Sequence, residues 1–258
     1  MRKYIYLDIY DDVELEQIQS VEADGFVVGD PFCQYRMFRY GNPEMIDFVR
    51  KTTGVGKEII YQTPVYVTDR NFHATIKLIR YLYEEFNVKK ILVQDVGLTD
   101  YIVKSGMELD VIWGHWGKNR NSMINYDYID FLIRCGITAI ETNMPGRIVA
   151  FSEMKLPVYA VYGNTIYNTI SRSCYNSYML NSFDGICSRE CIRENMELRC
   201  ENLHMTIDGH ILGRKYQYPT DKKYFLAVQQ YTDDVIIYAV NFLEAEKRLH
   251  IFDITRKC

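Results

Sequence analysis

The feature that most constrains this chain is the alternation of short apolar strands with helical stretches over its first two-thirds. The clearest helix is predicted over residues 69–86, with Asp69 as its cap and Asn87 closing it. A β-branched and aromatic stretch at 58–67 precedes this helix, and an apolar stretch at 90–93 follows it. Repeated β–α units with brief apolar strands predict a parallel sheet that is covered by helices.

The same unit recurs along the chain. Strands are predicted at 3–9, 25–28, 58–67, 90–93, 109–113, 139–141 and 158–161, and helices at 12–20, 43–52, 69–86, 100–105, 126–135 and 147–154. Their number and spacing fit a TIM-barrel-like fold, complete or partial, better than an open sheet. In such a barrel the chemistry is carried by residues just after the strands.

Three regions are predicted. Residues 1–170 form the barrel-like domain, and residues 171–202 form a cysteine-rich loop with little apolar periodicity. Residues 203–258 are expected to be a short α/β extension that packs on the barrel. Its predicted elements are strands at 225–228 and 235–238, a helix at 241–248 and a last strand at 249–254.

Charge and cysteine content indicate the kind of site to expect. The net charge of −4 argues against a protein that coats nucleic acid, because phosphate binding needs clustered Lys and Arg. The N-terminus lacks a signal-peptide pattern and no stretch is long and apolar enough to span a bilayer, so a cytoplasmic location is expected. Seven cysteines in a reducing compartment favour metal binding over disulfides.

Three cysteines lie in a polar loop, where three residues separate Cys187 from Cys191 and twelve residues separate Cys174 from Cys187. Soft thiolates select zinc, copper(I) or an iron–sulfur cluster, and four of them suit a zinc site or a four-iron cluster. Two cysteines are candidates for the fourth ligand. Cys200 is close to the other three in sequence, whereas Cys33 follows the strand at 25–28, at the catalytic end of the predicted barrel.

The remaining two cysteines are expected to be packing or incidental residues. Cys135 lies within a predicted helix and Cys258 at the end of the chain. Free cysteine behaves as a small apolar residue and is often buried.

Several motifs together resemble the U-32 (collagenase-like) peptidase family. Residues 171–178 (Ser-Arg-Ser-Cys-Tyr-Asn-Ser-Tyr) and 185–191 (Gly-Ile-Cys-Ser-Arg-Glu-Cys) resemble its G-R-C-x-x-S-x-Y and G-x-C-x-x-x-C segments. Residues 93–97 resemble its V-Q-D-x-G strand end, Glu141 stands at its R-E segment, and residues 161–163 stand at its V-H-G segment. The resemblance covers nearly the whole chain and implies the family's barrel fold.

Within the family, the spacing is similar to that of the UbiV/UbiU-like iron–sulfur branch. This resemblance implies a 4Fe–4S cluster on Cys33, Cys174, Cys187 and Cys191, and it favours Cys33 over Cys200 as the fourth ligand. It further implies a subunit of an oxygen-independent hydroxylase of the ubiquinone-precursor type, with a second U-32 family subunit as partner. Prephenate is the implied oxygen donor, the substrate is a small molecule, and peptidase activity is not expected.

Three side chains are predicted to be catalytic. Asp95 ends a strand, and its alternative role is to cap the next helix. His115 would donate a proton, or else be a loop histidine with satisfied hydrogen bonds. Glu141 follows a buried strand, where a charge needs a partner, and Arg172 or Arg147 is expected to supply one.

Four side chains are predicted to bind substrate. Arg172 would grip a carboxylate with two parallel hydrogen bonds, and Arg36, beside Cys33, would steady an anionic cluster or face solvent. Tyr162, at the family's histidine position, and Asn164 complete the set.

Three other functions remain open from the sequence. The chain could be an enzyme that hydroxylates tRNA or rRNA bases, although its acidic pI argues against this. It could be a non-catalytic iron–sulfur scaffold or electron carrier, which the absence of the family's arginine before Glu141 favours. It could also be a structural zinc protein with a four-cysteine site.

Overall fold

The alternating strands and helices close into a parallel barrel, which confirms the predicted fold class as a complete TIM-barrel-like fold. The order of strands around the barrel is β1-β14-β7-β6-β5-β4-β3-β2, and all of its pairings are parallel. This computed structural model describes residues 1–7, 13–29, 43–65, 67, 69–114, 125–166, 169–170, 196–200, 203–208, 211–212 and 215–257.

The barrel strands are separated by helices that cover their outer face. The strands are β1 Arg2–Leu7, β2 Gly25–Val28, β3 Glu58–Gln62, β4 Lys90–Val93, β5 Asp110–Trp113, β6 Ala139–Thr142, β7 Val158–Tyr162 and β14 Asp234–Ala239. The helices are α1 Leu15–Ser20, α2 Pro43–Gly54, α3 Asp69–Phe86, α4 Val96–Lys104, α5 Tyr126–Arg134, α6 Pro145–Glu153, α7 Lys222–Tyr231 and α8 Phe242–Lys257. As predicted, α3 is followed by Asn87, which adopts a positive φ of 53°.

Two layers of apolar side chains form because successive strand residues point to opposite faces. One layer fills the barrel lumen: Tyr4, Tyr6, Val27, Ile60, Leu92, Ile112, Ala139, Tyr159, Val161, Ile236 and Tyr238. The other layer lies between the strands and the helices, where for example the rings of Phe26 and Phe48 pack edge to face at 5.1 Å.

Two element boundaries in the first half of the barrel differ most from the prediction. Strand β3 ends at Gln62 rather than at residue 67, because Pro64 has no backbone N–H to continue a ladder. Helix α4 starts at Val96 rather than at residue 100, because Asp95 caps it.

The C-terminal region differs most from the predicted secondary structure. The predicted strand at 225–228 lies within α7, where Tyr224, Phe225, Ala227 and Val228 form a buried helical face. The predicted last strand at 249–254 lies within α8, whose buried residues Phe242, Ala245, Leu249 and Phe252 recur at helical spacing. Short apolar runs do not distinguish a strand from a buried helix segment.

Strand β14 closes the barrel between β1 and β7. The predicted extension at 203–258 therefore contributes the eighth strand of the barrel instead of only packing on it. A local pattern cannot reveal this, because the partners of β14 lie far away in the sequence.

An excursion of the chain leaves the barrel after β7 and returns before α7. Its first and last strands, β8 Asn164–Ile166 and β13 Lys215–Gln217, pair antiparallel. Between them a small sheet has the order β10-β11-β12-β9, with bounds β9 Thr169–Ile170, β10 Met196–Cys200, β11 Leu203–Asp208 and β12 Ile211–Leu212.

Candidate functional site

The C-terminal end of the barrel lumen carries the polar side chains that the sequence places just after strands. Side chains two residues apart on a strand point to the same face. Gln62, Gln94 and Glu141 each lie two residues after a residue of the lumen layer (Ile60, Leu92 and Ala139), so they also point into the lumen. In TIM barrels this end holds the active site, because the loops that follow the strands meet there.

Glu141 is the charged group of this site and is only 1% exposed. The Tyr238 hydroxyl donates a hydrogen bond to Glu141 Oε1 at 2.8 Å, from β14 across the lumen to β6. The Tyr238 ring packs on Tyr6, with ring centroids 4.6 Å apart, so the hydroxyl is held in place by packing. A buried carboxylate needs such a donor, since desolvation penalises its charge. The expected ion pair with Arg172 stays a prediction, because Arg172 lies outside the described residues.

Gln62 is the second deeply buried polar group of the site. It is 1% exposed, and neither Oε1 nor Nε2 has a hydrogen-bond partner in the part of the chain that the structure describes. Val65, in the loop after β3, packs against the lumen residues. The backbone N–H of Thr63 holds this loop by donating to the Leu92 carbonyl at 3.0 Å.

Gln94 occupies space that a glycine leaves open. A Cβ atom at Gly114 would lie 2.5 Å from Leu92 Cδ2 and 2.9 Å from Gln94 Nε2. Gly114 therefore allows the Gln94 side chain to fold across the end of β5.

Asp95 caps the helix that follows it, which is the alternative role considered for it from the sequence. Its Oδ1 accepts a hydrogen bond from the Leu98 backbone N–H at 2.8 Å, so it caps α4. The Thr99 hydroxyl also donates to the Asp95 carbonyl, at 2.9 Å. A catalytic role for Asp95 stays a prediction.

Tyr162 lies on the outer face of β7, whereas the prediction puts it among the substrate-binding residues. Its ring packs against Tyr218, Tyr224, Phe225 and Phe252, at centroid distances of 5.1–6.5 Å. Alternation along β7 sends Tyr159 and Val161 inward and Tyr162 outward. The side chain is therefore part of the core between the barrel and helices α7 and α8.

The remaining predicted site residues fall outside the described ranges. This applies to the catalytic candidate His115, to the binding residues Arg36 and Arg172, and to the metal ligands Cys33, Cys174, Cys187 and Cys191. Asn164 is described by its backbone, which pairs with Gln217.

Two of the other cysteines, Cys200 and Cys135, lie within the described ranges. The backbone of Cys200 pairs with Leu203 at the end of the β10–β11 hairpin. Cys135 is half-buried and unbridged at the C-terminal end of α5, in agreement with a packing role. Within the described ranges, no group of three or more His, Cys, Asp or Glu side chains is arranged to hold a metal ion.

The excursion that contains Cys174, Cys187 and Cys191 is attached at the same end of the barrel as Glu141. The Tyr218 hydroxyl, just after β13, donates to the Tyr238 carbonyl oxygen at 2.9 Å. A Cβ atom at Gly163, whose φ is 106°, would lie 2.7 Å from Tyr218 Cε1, so the glycine permits this close approach.

Two charged side chains of α8 hold Tyr218 in position. Glu244 Oε1 lies 3.2 Å from the Tyr218 hydroxyl, and the Arg248 guanidinium lies 3.7 Å from the Tyr218 ring centroid. Burial alone would raise the pKa of Glu244, but hydrogen bonds from the Val240 N–H and from Arg248 lower it below its ordinary value. Tyr218, Glu244 and Arg248 are called the Tyr218 clamp below.

The sequence interpretation missed Gln62, Tyr238 and the Tyr218 clamp. Gln62 had a usable signal, since it is a polar residue between an apolar run and a proline. Tyr238 and Tyr218 had none, because each acts on a strand that is distant in sequence.

The described residues contain no helix that is both long and apolar enough to cross a membrane.

No protein-family model and no curated protein sequence matches this chain. The chain does share its fold with solved structures. The U32 peptidase Mk0906 is 13% identical, with 93% of this chain and 94% of that chain covered and a TM-score of 0.53. The likeness supports the fold that the U-32 resemblance implies.

Two further barrels are similar to the same degree. CdNal from Clostridium difficile, in complex with mannosamine, is 10% identical, with 99% of this chain and 76% of that chain covered and a TM-score of 0.51. Tryptophan synthase from M. tuberculosis is 11% identical, with 99% and 90% covered and a TM-score of 0.51. At these identities the likeness concerns the fold alone.

Proposed function

We propose that this chain binds a 4Fe–4S cluster through Cys33, Cys174, Cys187 and Cys191, beside a substrate pocket at the C-terminal end of the barrel lumen. The proposed activity is that of a subunit of an oxygen-independent hydroxylase. The substrate is a small molecule, the oxygen atom comes from a donor such as prephenate, and the partner is a second subunit of similar fold.

The observation that carries this proposal is the attachment of the excursion next to Glu141. Tyr218, at the base of the excursion, donates to the backbone carbonyl of Tyr238, and Tyr238 donates through its hydroxyl to Glu141. Two hydrogen bonds thus connect the segment that contains three of the cysteines to the buried carboxylate. We expect Cys33 at the same end, because it lies four residues after Gly29, which directly follows β2.

The donor set fits the cluster. Four thiolates are the ligands of 4Fe–4S centres, and soft sulfur donors exclude the hard cations that carboxylates prefer. The cluster would supply electron transfer, since iron that is fully ligated by cysteine has no open coordination site.

The described residues contribute binding and proton handling. The buried Glu141 carboxylate, oriented by Tyr238, can hold or accept a proton. Gln62 and Gln94 provide neutral hydrogen-bonding groups around it. The apolar lumen beneath closes the pocket toward the N-terminal end of the barrel.

The test is anaerobic purification followed by iron and sulfide analysis and an absorption spectrum. We expect a brown protein with about four irons per chain. The Cys33→Ala variant should lose the colour and the iron. The matched Cys200→Ala variant should keep both, because Cys200 is not among the proposed ligands.

A colourless protein that contains one zinc per chain would contradict the redox proposal and indicate a structural site. Loss of iron in Cys200→Ala but not in Cys33→Ala would keep the cluster and change the fourth ligand.

A further inference from the structure

Gln62 is an exception to the rule that buried polar groups find partners. Both of its amide atoms are buried and have no hydrogen-bond partner among the described residues. A buried amide without hydrogen bonds destabilises the folded state, so natural proteins retain few such groups. When a buried amide without hydrogen bonds is retained at the catalytic end of a barrel, binding of a ligand to that amide is a physical reason for its retention.

The strand register places Gln62 in the middle of the candidate site. Gln62 lies at the same height along the barrel axis as Tyr6. Glu141 lies slightly nearer the N-terminal end of the barrel, and Gln94 lies slightly nearer the C-terminal end. Val65, in the loop after β3, packs against the lumen residues. A ligand group that reached the lumen from the C-terminal end would therefore meet the Gln62 amide beside the Glu141 carboxylate.

The chemistry of the surroundings selects the kind of group. Among the described inward-facing residues of this half of the lumen, Glu141 alone carries a formal charge, and that charge is negative. A carboxylate ligand would offer acceptors alone and would leave Gln62 Oε1 without a donor. A neutral group is therefore favoured at Gln62.

The amide of Gln62 presents an acceptor, Oε1, next to a donor, Nε2. A ligand group with a donor next to an acceptor satisfies both atoms at once, and a carboxamide edge has this arrangement. A single hydroxyl satisfies only one of the two atoms at a time.

We propose that Gln62 is a recognition residue that pairs with the carboxamide edge of a small neutral ligand in the barrel lumen. The proposal rests on the substrate pocket of the proposed function and is independent of the cluster.

The test follows the side-chain NH₂ resonances of Gln62 by NMR, assigned by their loss in Gln62→Met. The probe is propionamide, with propionate and 1-propanol as the anionic and hydroxyl analogues. We expect propionamide to shift these resonances saturably and to bind at least about tenfold more tightly than either analogue.

The Gln62→Met variant keeps the side-chain volume and removes the unsatisfied amide. We expect its thermal unfolding midpoint to rise while its affinity for propionamide falls about tenfold or more. The matched Gln230→Met variant, at an exposed position of α7, should leave both properties unchanged.

Two results would overturn the proposal. One is that propionamide leaves the Gln62 resonances unmoved, and the other is that Gln62→Met lowers the unfolding midpoint, as loss of an internal partner would. Iron analysis of the same samples separates the two ideas, since a colourless protein that binds propionamide refutes only the cluster.

Discussion

At the scale of single residues, the candidate site depends on how one buried carboxylate is kept in the lumen. Glu141 is among the few charged side chains that are buried in the described part of the chain, and the Tyr238 hydroxyl donates to it at 2.8 Å. Hydrogen bonds to charged acceptors are stronger than neutral ones. The Tyr238 hydroxyl is therefore expected to contribute measurably to stability.

The Tyr238→Phe substitution tests this contribution. It removes the donor and keeps the ring that packs on Tyr6, so we expect the free energy of unfolding to fall by about 1–3 kcal/mol. Urea-induced unfolding at neutral pH measures the change. Tyr126→Phe is the control, since Tyr126 is 53% exposed on α5, and an equal loss there would refute the role of the hydrogen bond.

At the scale of elements, the paired strands β8 and β13 form the base of the excursion. Asn164 pairs with Gln217 and Ile166 with Lys215, so the two ends of the excursion are adjacent. Two strands alone are marginally stable in water. The Tyr218 clamp supplies the further contacts, through the Tyr238 carbonyl, Glu244 and Arg248.

The Tyr218→Phe substitution is expected to loosen this base without unfolding the barrel. It removes the hydroxyl and keeps the ring between Gly163 and Arg248, so the expected loss is about 1 kcal/mol. Amide hydrogen exchange should become faster in β8 and β13 and stay unchanged in β7 and β14. The control Tyr231→Phe, on the exposed face of α7, should leave exchange unchanged, and faster exchange in β7 as well would contradict a local role.

At the scale of the whole molecule, charged residues at the N-terminal end of the barrel join segments from both ends of the chain. Arg2 donates two hydrogen bonds to Asp234, at 2.7 and 2.9 Å, and so links the first strand to the last. The Lys90 ammonium pairs with Glu58, and Tyr4 donates to Glu58 at 2.6 Å. Each charged member of this network is the first residue of its strand, at the end of the barrel opposite Glu141.

This network predicts a loss of stability in acid. Burial alone would raise the pKa of Glu58, but hydrogen bonds from Lys90 and Tyr4 lower it below its ordinary value of 4.5. A carboxylate with a lowered folded pKa stabilises the protein above the unfolded pKa, and its contribution is lost as the pH falls through the folded value. The free energy of unfolding should therefore decrease as the pH falls below about 4.5.

The Glu58→Gln variant should show a shallower decrease than the parent between about pH 5 and pH 3, measured by urea unfolding at each pH. Asp100→Asn is the control, since Asp100 and Lys104 form an exposed ion pair on α4. An unchanged slope in Glu58→Gln would contradict the assignment to this network.

The barrel could be predicted because its signals are local. Strand β2 at Gly25–Val28, strand β4 at Lys90–Val93 and helix α3 at Asp69–Phe86 have the predicted bounds, since apolar periodicity and caps act within a few residues. Asp95 and Glu141 were also identified as strand-end residues. Helix capping was one of the two roles predicted for Asp95, whereas the hydroxyl that Tyr238 donates to Glu141 was not predicted, because β14 is distant in sequence.

The sequence by itself determined the barrel class and the set of polar and cysteine residues available for chemistry, since alternation and residue type are written in neighbouring positions. Only the tertiary structure decided that β14 closes the barrel, that Tyr162 faces outward and Tyr238 inward, and that Gln62 is buried without a partner. The physical reason is that strand pairing and burial depend on contacts between segments that can be separated by nearly the whole chain. Patterns within a window of residues do not contain those contacts.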